Sequence, residues 1–166
     1  MKINIFGTDK ESIVDGEGIR YAIFAQGCAH GCDGCHNPES HSFEEKNAVE
    51  LEELMEDIKK RSYLDGVTFS GGDPMFQAEA FNELAKRIKS ETNLSIWCYT
   101  GYTFDQVKNK PQREFVELLA NIDVLIDGKF ELANKNLSLL FRGSSNQRLI
   151  DIQKSLEKGL IVEWER

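Results

Sequence analysis

Strand-like and helix-like segments alternate along most of the chain, and this alternation constrains its fold more than any other feature. Four runs rich in aromatic and β-branched residues are typical of short strands, at residues 20–25, 67–70, 95–99 and 124–126. Between them, apolar residues recur at helical spacing and predict amphipathic helices at residues 48–61, 77–90 and 113–121. This β-α-β-α order predicts a parallel sheet with crossover helices.

The last part of the chain has a less regular pattern. Residues 137–141 and 148–153 fit either strands or short helices, and residues 160–164 predict a final strand. Roughly four βα units are too few to close an eight-stranded barrel. We therefore expect an α/β fold, with a mostly parallel sheet in an open, partial β/α barrel. A length of 166 residues predicts a single domain over residues 1–166.

Composition narrows the classes of function. The net charge is −8, and the chain has no basic stripe of the kind that binds nucleic acid. It has no apolar run long enough for a transmembrane helix, and its first residues lack the apolar stretch of a secretory signal. We expect a cytoplasmic protein whose thiols stay reduced, so clustered cysteines favour a metal or catalytic role over disulfides.

Distinctive motifs follow each predicted parallel strand. In strand order they are Cys28, Gly71-Gly72, Thr100-Gly101 and Asp127-Gly128-Lys129. Functional residues of parallel sheets collect at the carboxyl ends of the strands. Four motifs at one edge of the sheet therefore predict one functional site.

Three of the four cysteines lie within eight residues, with the spacing Cys28-x3-Cys32-x2-Cys35. Soft thiolates bind zinc, copper(I) or iron–sulfur clusters. A structural zinc site needs a fourth ligand, for which the candidates are His30, His36 and His41. In an iron–sulfur cluster held by three cysteines, one iron lacks a protein ligand and can bind substrate or cofactor. The absence of a second C-x2-C pair favours the cluster.

The glycines of the cysteine loop are compatible with a zinc ion and with an iron–sulfur cluster. A glycine lies directly before each cysteine, at Gly27, Gly31 and Gly34. Glycines allow positive φ, so the backbone can curl round a bulky ion or cluster. The fourth cysteine, Cys98, lies inside the strand-like run SIWCY and matches no cluster position, so we expect it in the core.

The cysteine spacing is also the signature of the radical S-adenosylmethionine (SAM) enzymes, which the chain resembles. The resemblance is closest to the activating enzymes of anaerobic (class III) ribonucleoside-triphosphate reductases. The stretches that carry it, in family order, are SIVDGEGIRYAIFAQGCAHGCDGCHNPES, VTFSGGDPMFQ, CYTGYTFDQ, DVLIDGKFE and LLFRGSSNQRLID. Their combination is specific, although any single motif is not. The resemblance implies a partial barrel of the radical SAM type.

A function follows from this resemblance. It implies that Cys28, Cys32 and Cys35 bind a [4Fe-4S] cluster whose remaining iron binds SAM. Reductive cleavage of SAM would yield methionine and a 5′-deoxyadenosyl radical, which takes hydrogen from a glycine Cα of the partner reductase and leaves a glycyl radical. No catalytic side chain is implied beyond the cluster ligands. Flavodoxin or ferredoxin is the expected electron donor.

The resemblance also implies a set of SAM-binding residues, which are Gly34, Cys35, His36, Ser70, Gly71, Gly72, Asp73, Thr100, Asp127 and Lys129. Asp73 and the residues just before it are expected near the methionine amino group, Lys129 or a bound cation near the carboxylate, and Thr100 near the ribose. His36 is expected to stack on the adenine, because many relatives have an aromatic residue where this chain has Gly34.

Each motif also has a purely structural interpretation. A Gly-Gly pair makes a turn, Asp73 can cap the helix that Pro74 starts, and Asp127 and Lys129 can be an incidental charge pair in a solvated turn. Residues 141–148 are either a loop or part of the SAM or partner surface. The alternative functions are activation of another glycyl-radical enzyme and a non-catalytic zinc-binding module that docks on a partner.

Overall fold

The structure is a computed structural model that describes residues 1–32, 34, 38–45 and 47–166. Its regular elements, in chain order, are β1 (Lys2–Ser12), β2 (Arg20–Ala25), β3 (Ala48–Glu50), α1 (Leu51–Lys59), β4 (Gly66–Gly71), α2 (Ala78–Glu91), β5 (Ser95–Tyr99), α3 (Phe104–Lys108), α4 (Arg113–Ala120), β6 (Val124–Asp127), β7 (Arg148–Asp151) and α5 (Ile152–Lys158). Short 3-10 turns lie at Pro38–His41, Pro74–Gln77 and Leu132–Asn134. None of the helices in the described part is long and apolar enough to cross a membrane.

Within the described residues, seven strands form one sheet in the order β3-β1-β2-β4-β5-β6-β7. The neighbours β2, β4, β5 and β6 are parallel, with Arg20 opposite Gly66 and Trp97 opposite Val124. β1 is antiparallel to β2 and β3, and β7 is antiparallel to β6. Five of these seven strands thus point the same way, and the sheet is open at β3 and β7. The prediction of an open, mostly parallel α/β sheet is confirmed.

The N-terminal part of the sheet differs from the sequence prediction. The sequence pattern does not predict β1, because its alternation of buried residues stops after Ile5 and residues 9–11 are charged and exposed. The predicted helix at residues 48–61 is wrong in its first turn, since Ala48–Glu50 form β3 and the helix begins at Leu51. Pairing of β3 with β1 supplies the backbone hydrogen bonds that override helical propensity there.

The C-terminal part also needs corrections. The predicted final strand at residues 160–164 is wrong, because the structure has only an isolated bridge between Glu163 and Ile150 in this region. Residues 148–153 divide into β7 and the start of α5, which Asp151 caps by accepting a hydrogen bond from Lys154 N. Residues 137–141 form neither a helix nor a strand.

The helices cover one face of the sheet. Alternate strand residues such as Ile23, Phe69 and Leu125 belong to a core that also contains the apolar faces of α1, α2 and α4. Those faces are the predicted stripes, and their buried members include Leu54, Met55, Ile58, Leu84, Ile88, Leu118 and Leu119. Cys98 lies in this core and is completely buried, as expected. A smaller cluster that includes Trp97 and Ile126 lies apart from it.

Candidate cofactor site at the ends of the parallel strands

The carboxyl ends of β2, β4, β5 and β6 lie side by side because these strands are parallel neighbours. Backbone hydrogen bonds tie the motifs that follow them to the adjoining strands. Gly72 N donates to Ala25 O over 2.7 Å, and Thr100 N donates to Ile126 O over 3.0 Å. The predicted gathering of the four motifs at one edge of the sheet is confirmed.

The glycine pair after β4 allows two loops to pack directly on each other. Gly71 has a φ of +91°, and a Cβ at this position would collide with the backbone of Ala25 in β2. A Cβ on Gly72 would collide with the carbonyl oxygen of Gly27. The close approach also lets Asp73 N donate to Gly27 O over 2.9 Å. Glycine is therefore required at both positions to join this loop to the start of the cysteine loop.

The carboxylate of Asp73 is completely buried and connects three of the loops. Its Oδ1 accepts from Met75 N at 2.9 Å, so Asp73 caps the 3-10 turn Pro74–Gln77, which precedes α2. Its Oδ2 accepts from three further donors, which are Thr100 Oγ1 at 2.9 Å, Gly101 N at 2.9 Å and His30 Nε2 at 2.6 Å. One oxygen atom thus joins the loops after β2, β4 and β5.

His30, a candidate zinc ligand from the sequence, uses Nε2 for its bond to Asp73. Its ring packs edge-on against Tyr102 at a centroid distance of 4.7 Å, and a Cβ on Gly101 would collide with it. Sequence reasoning missed the contact with Asp73 because 43 residues separate the two. The signal that could have found it is their shared position, since both lie in loops that follow adjacent parallel strands.

The cysteine loop leaves the sheet after β2. Backbone hydrogen bonds hold its base, among them one from Gly27 N to Ser40 O at 2.6 Å and one from Cys28 N to His41 O at 3.1 Å. Cys28 and Cys32 are both half-buried. Cys35, the third predicted cluster ligand, and His36, the predicted adenine contact, lie outside the described residues.

The donor set and the backbone of this loop fit an iron–sulfur cluster. Cysteine thiolates are soft ligands that suit such clusters. Gly31 and Gly34 have φ of +65° and +73°, as expected for the loop glycines. Among the described residues, a Cβ at Gly31 would meet no other atom within 4 Å, and a Cβ at Gly34 would approach only side chains, the nearest being Leu132 at 3.0 Å. The positive φ at both glycines thus fits a backbone that curls within the cysteine loop.

Asp127 ends β6 with its carboxylate turned into the protein, where it is 1% exposed. Oδ2 accepts from Phe104 N at 2.8 Å and from Arg148 Nη2 at 2.6 Å, and Oδ1 accepts from Arg148 Nε at 3.1 Å. Lys129 is exposed. The interpretation of Asp127 and Lys129 as an incidental charge pair in a solvated turn is therefore wrong, because Asp127 is buried and pairs with Arg148.

Residues 142–148 brace the loop that follows β6. Gln147 Nε2 donates to Gly128 O at 3.1 Å, and Asn146 Nδ2 donates to Lys129 O at 2.8 Å. Gln147 Oε1 also accepts from two backbone amides of its own segment, which closes the turn. Sequence reasoning offers no chemical role for this segment, whereas these contacts show that it holds the backbone on which Lys129 lies.

A cavity of about 620 Å³ adjoins this edge of the sheet. Ser70, Tyr99, Phe130 and Arg142 are among its lining residues, so it lies next to the glycine pair and to the bracing segment. Asp15 also lines it, and burial raises the pKa of that carboxyl. Its volume is within the range of small-molecule sites, and its walls are mixed polar and apolar.

The described members of the predicted SAM set differ in how accessible they are. The side chains of Asp73 and Asp127 are buried and fully engaged in hydrogen bonds. Thr100 Oγ1 donates to Asp73 and accepts from Tyr102 N at 3.2 Å. The predicted SAM-binding residues that are partly or fully exposed are Gly34, Ser70, Gly71, Gly72 and Lys129.

Comparison with known proteins identifies relatives over most of this chain. The family described as "4Fe-4S single cluster domain" matches residues 14–150. The anaerobic ribonucleoside-triphosphate reductase-activating protein of Haemophilus influenzae is 39% identical over 142 residues, covering 81% of this chain and 89% of that protein. The proteins of the same name from Enterobacteria phage T4 and Escherichia coli are both 37% identical, covering 82% and 81% of this chain and 86% and 90% of their own lengths.

A solved structure, QueE from Escherichia coli, is 20% identical with a TM-score of 0.47, over 61% of this chain and 53% of that one. The family assignment comes from the sequence relatives. The matched region runs from before β2 to within β7 and so contains the cysteine loop, the glycine pair and the bracing segment. The chain therefore belongs to the 4Fe-4S single cluster family and to the anaerobic ribonucleoside-triphosphate reductase-activating proteins.

Proposed function

We propose that this protein activates an anaerobic ribonucleoside-triphosphate reductase by reductive cleavage of SAM at a [4Fe-4S] cluster. Family membership supports the proposal. The structural observation that carries it is the meeting of the cysteine loop with the loops after β4 and β5 at the Asp73 carboxylate. When bound, the cluster supplies one electron that splits SAM into methionine and a 5′-deoxyadenosyl radical, which takes a hydrogen atom from a glycine Cα of the reductase.

In this proposal Cys28, Cys32 and Cys35 hold three irons of the cluster. Three ligands on one short loop leave the fourth iron open, and an open position distinguishes a catalytic metal site from a structural one. Cys98 has no part in the site because it is completely buried in the helix-covered core.

The loop after β4 is the proposed binding place for the SAM methionine group. Glycines expose backbone groups without side-chain obstruction, so Ser70, Gly71 and Gly72 can hydrogen-bond an ammonium group directly. Asp73 contributes indirectly, because its carboxylate is occupied by four donors among the described residues. It holds the loop in place while the backbone before it faces the ligand.

The loop after β6 is the proposed partner of the SAM carboxylate. Lys129 has an exposed side chain whose positive charge suits a carboxylate, on a backbone that Asn146 holds at Lys129 O. Asp127 supports this loop through its ion pair with Arg148.

The nucleoside half of SAM has three proposed contacts. Thr100 lies at the end of β5 and is proposed to reach the ribose. His36 is proposed to stack on the adenine, with Gly34 leaving room for it. Cys35 links these contacts to the cluster as its third ligand.

The wider setting completes the proposal. Residues 1–166 act as one radical SAM domain, for which the single sheet through the described residues is the support. The protein substrate is the reductase, and flavodoxin or ferredoxin is the proposed electron donor. We place the protein in the cytoplasm, where its thiols stay reduced.

An anaerobic experiment tests this function. The cluster is reconstituted and reduced, SAM and the candidate reductase are added, and electron paramagnetic resonance (EPR) is recorded. We expect a glycyl-radical doublet on the reductase and one methionine released per SAM cleaved. A reductase variant whose radical-bearing glycine is replaced by alanine is the matched control and should give no doublet.

Three results would contradict the proposal. An intact reduced cluster that fails to cleave SAM excludes the radical SAM activity. Cleavage of SAM with a glycyl radical on a different enzyme, and none on the reductase, indicates the alternative activase. Stoichiometric zinc without iron or sulfide after anaerobic purification indicates the zinc-binding module.

A further inference from the structure

His30 lies between two predicted cluster ligands, Cys28 and Cys32, yet its side chain turns into the protein. That side chain is 6% exposed, and its Nε2 lies 2.6 Å from Asp73 Oδ2. Asp73 Oδ2 already accepts from the Thr100 hydroxyl and the Gly101 amide, so we assign the role of donor in this contact to Nε2. A hydrogen bond to a buried carboxylate is among the stronger kinds in proteins.

The surroundings of the His30 ring are shaped to receive it. Tyr102 packs edge-on against it at 4.7 Å, and Phe76 lies at 5.4 Å. A Cβ on Gly101 would collide with the ring, so glycine at this position makes room for it. The ring is therefore held by packing against Tyr102 and Phe76 and by a hydrogen bond at Nε2.

Asp73 fixes the other end of this contact. Its backbone N donates to Gly27 O, directly before Cys28, so the aspartate contacts the cysteine loop at two points. Its Oδ2 also receives the Thr100 hydroxyl and the Gly101 amide from the loop after β5. Any movement of His30 away from Asp73 therefore shifts the cysteine loop relative to the two loops proposed to bind SAM.

We propose that His30 is a positioning residue. Through its hydrogen bond to Asp73, it holds the cysteine loop at the distance from the loops after β4 and β5 that SAM binding requires. The proposal rests on the function proposed above. Removing a residue that orients the ligands of a metal site typically costs about 10- to 100-fold in metal affinity or activity.

Two substitutions at residue 30 separate the hydrogen bond from packing. His30→Phe keeps a ring between Tyr102 and Phe76 but removes the donor. His30→Gln removes the ring but places an amide N–H near the position of Nε2. Thr100→Val is a matched control, because it removes another hydrogen bond to the same Asp73 oxygen without touching the cysteine loop.

The first measurement uses the metal-free protein. Hydrogen exchange of the peptide covering residues 26–32 is compared with that of residues 95–99 in β5. We expect exchange at residues 26–32 to be at least about fivefold faster in His30→Phe than in the wild type. In His30→Gln and in Thr100→Val, exchange at these residues should be close to that of the wild type. Exchange in β5 should be unchanged in both His30 variants.

The second measurement uses the reconstituted protein. SAM is titrated into the reduced cluster, and the change in its EPR spectrum gives the SAM concentration at half effect. We expect this concentration to rise about tenfold or more in His30→Phe and to stay within about threefold of wild type in His30→Gln, with iron content retained in both.

Wild-type behaviour of His30→Phe in both measurements would overturn the proposal. So would equal impairment of His30→Phe and His30→Gln, since the hydrogen bond would then not be the cause. A wild-type protein that binds iron and sulfide but whose spectrum does not respond to SAM would contradict the proposed function instead. Hydrogen exchange of the metal-free variants would still decide whether His30 fixes the loop.

Discussion

The guanidinium of Arg148 forms a two-point ion pair with the buried carboxylate of Asp127, with Nε 3.1 Å from Oδ1 and Nη2 2.6 Å from Oδ2. The two residues are opposite each other in the antiparallel register of β6 and β7. The carboxylate raises the pKa of Arg148 through these hydrogen bonds. The ion pair thus anchors the start of the loop that carries Lys129 to the neighbouring strand β7.

Removing this guanidinium should destabilise the fold. Arg148→Met leaves the Asp127 carboxylate buried with the Phe104 amide as its one remaining partner among the described residues, and we expect the free energy of unfolding to fall by about 2 kcal/mol. This value is below that of a fully buried pair because the Arg148 side chain is one-third exposed (34%). Arg148→Lys keeps the charge but loses the two-point geometry, so its loss should be about half as large. Urea unfolding of the metal-free protein measures both, and an unchanged free energy in Arg148→Met would contradict the role assigned to the pair.

At the amino ends of the parallel strands, opposite the candidate cofactor site, Gly66 packs against the buried side chain of Arg20. Arg20 is 1% exposed and donates to Thr68 Oγ1 at 2.8 Å and to Ser95 O at 2.9 Å. A Cβ on Gly66 would collide with its guanidinium, which these bonds hold in place. We expect Gly66→Ala to lower the free energy of unfolding by about 2 kcal/mol.

Gly7→Ala is the matched control for this substitution. A Cβ on Gly7, in β1, would meet no other atom within 4 Å in the part of the chain that the structure describes. Alanine there should be neutral or stabilise the protein by about 0.5 kcal/mol, because it restricts the unfolded chain. Equal effects of the two substitutions in thermal or urea unfolding would show that the Arg20 contact is not the cause.

The hydrogen bonds and ion pairs around Asp57 should make the free energy of unfolding depend on pH in the acidic range. Although partial burial opposes ionisation, hydrogen bonds from Tyr21, Lys10 and Arg61 lower the pKa of Asp57 to about 2. A carboxyl whose pKa is lower in the folded state contributes stability that is fully present above its unfolded pKa, about 4, and is lost as pH falls toward 2. The stability that the Asp57 carboxylate contributes is therefore lost between about pH 4 and pH 2.

The test of this pH dependence uses Asp57→Asn. We expect it to lower the free energy of unfolding by about 1 kcal/mol at pH 6, a value reduced for solvent screening, and the difference from wild type to shrink below pH 4. In the wild type, the carboxyl carbon signal of Asp57 should titrate well below pH 4, and Tyr21→Phe should raise that pKa. An Asp57 that titrates near pH 4 in both proteins would refute the role of these hydrogen bonds.

The cysteines should divide into two functional classes. Cys28→Ala, Cys32→Ala and Cys35→Ala should each lose cluster binding, measured as iron and sulfide content after anaerobic reconstitution. Cys98→Ala should retain full content, since burial raises the pKa of its thiol well above the usual value and disfavours the thiolate that binds metal. Loss of iron from a folded Cys98→Ala protein, as judged by circular dichroism, would contradict this division.

Much of the framework was predictable from local pattern. The period of apolar residues predicted α1, α2 and α4 to within a few residues, because an amphipathic helix must bury one stripe. β1 was not predictable in this way, since more than half of it is polar and its place depends on β2 and β3 as partners. The first turn of the predicted helix at residues 48–61 became a strand for the same reason.

The amino-acid sequence by itself determined the order of the four parallel strands and of α1, α2 and α4 between them, the edge at which the motifs gather, and the three-cysteine spacing of a cluster loop. These properties depend on periodicity and spacing along the chain. Only the tertiary structure decided that His30 meets Asp73, that Asp127 pairs with Arg148, and that residues 142–148 brace the loop after β6. The physical reason is that these partners are distant in sequence, and they become neighbours only after the strands have paired in the order β2-β4-β5-β6-β7.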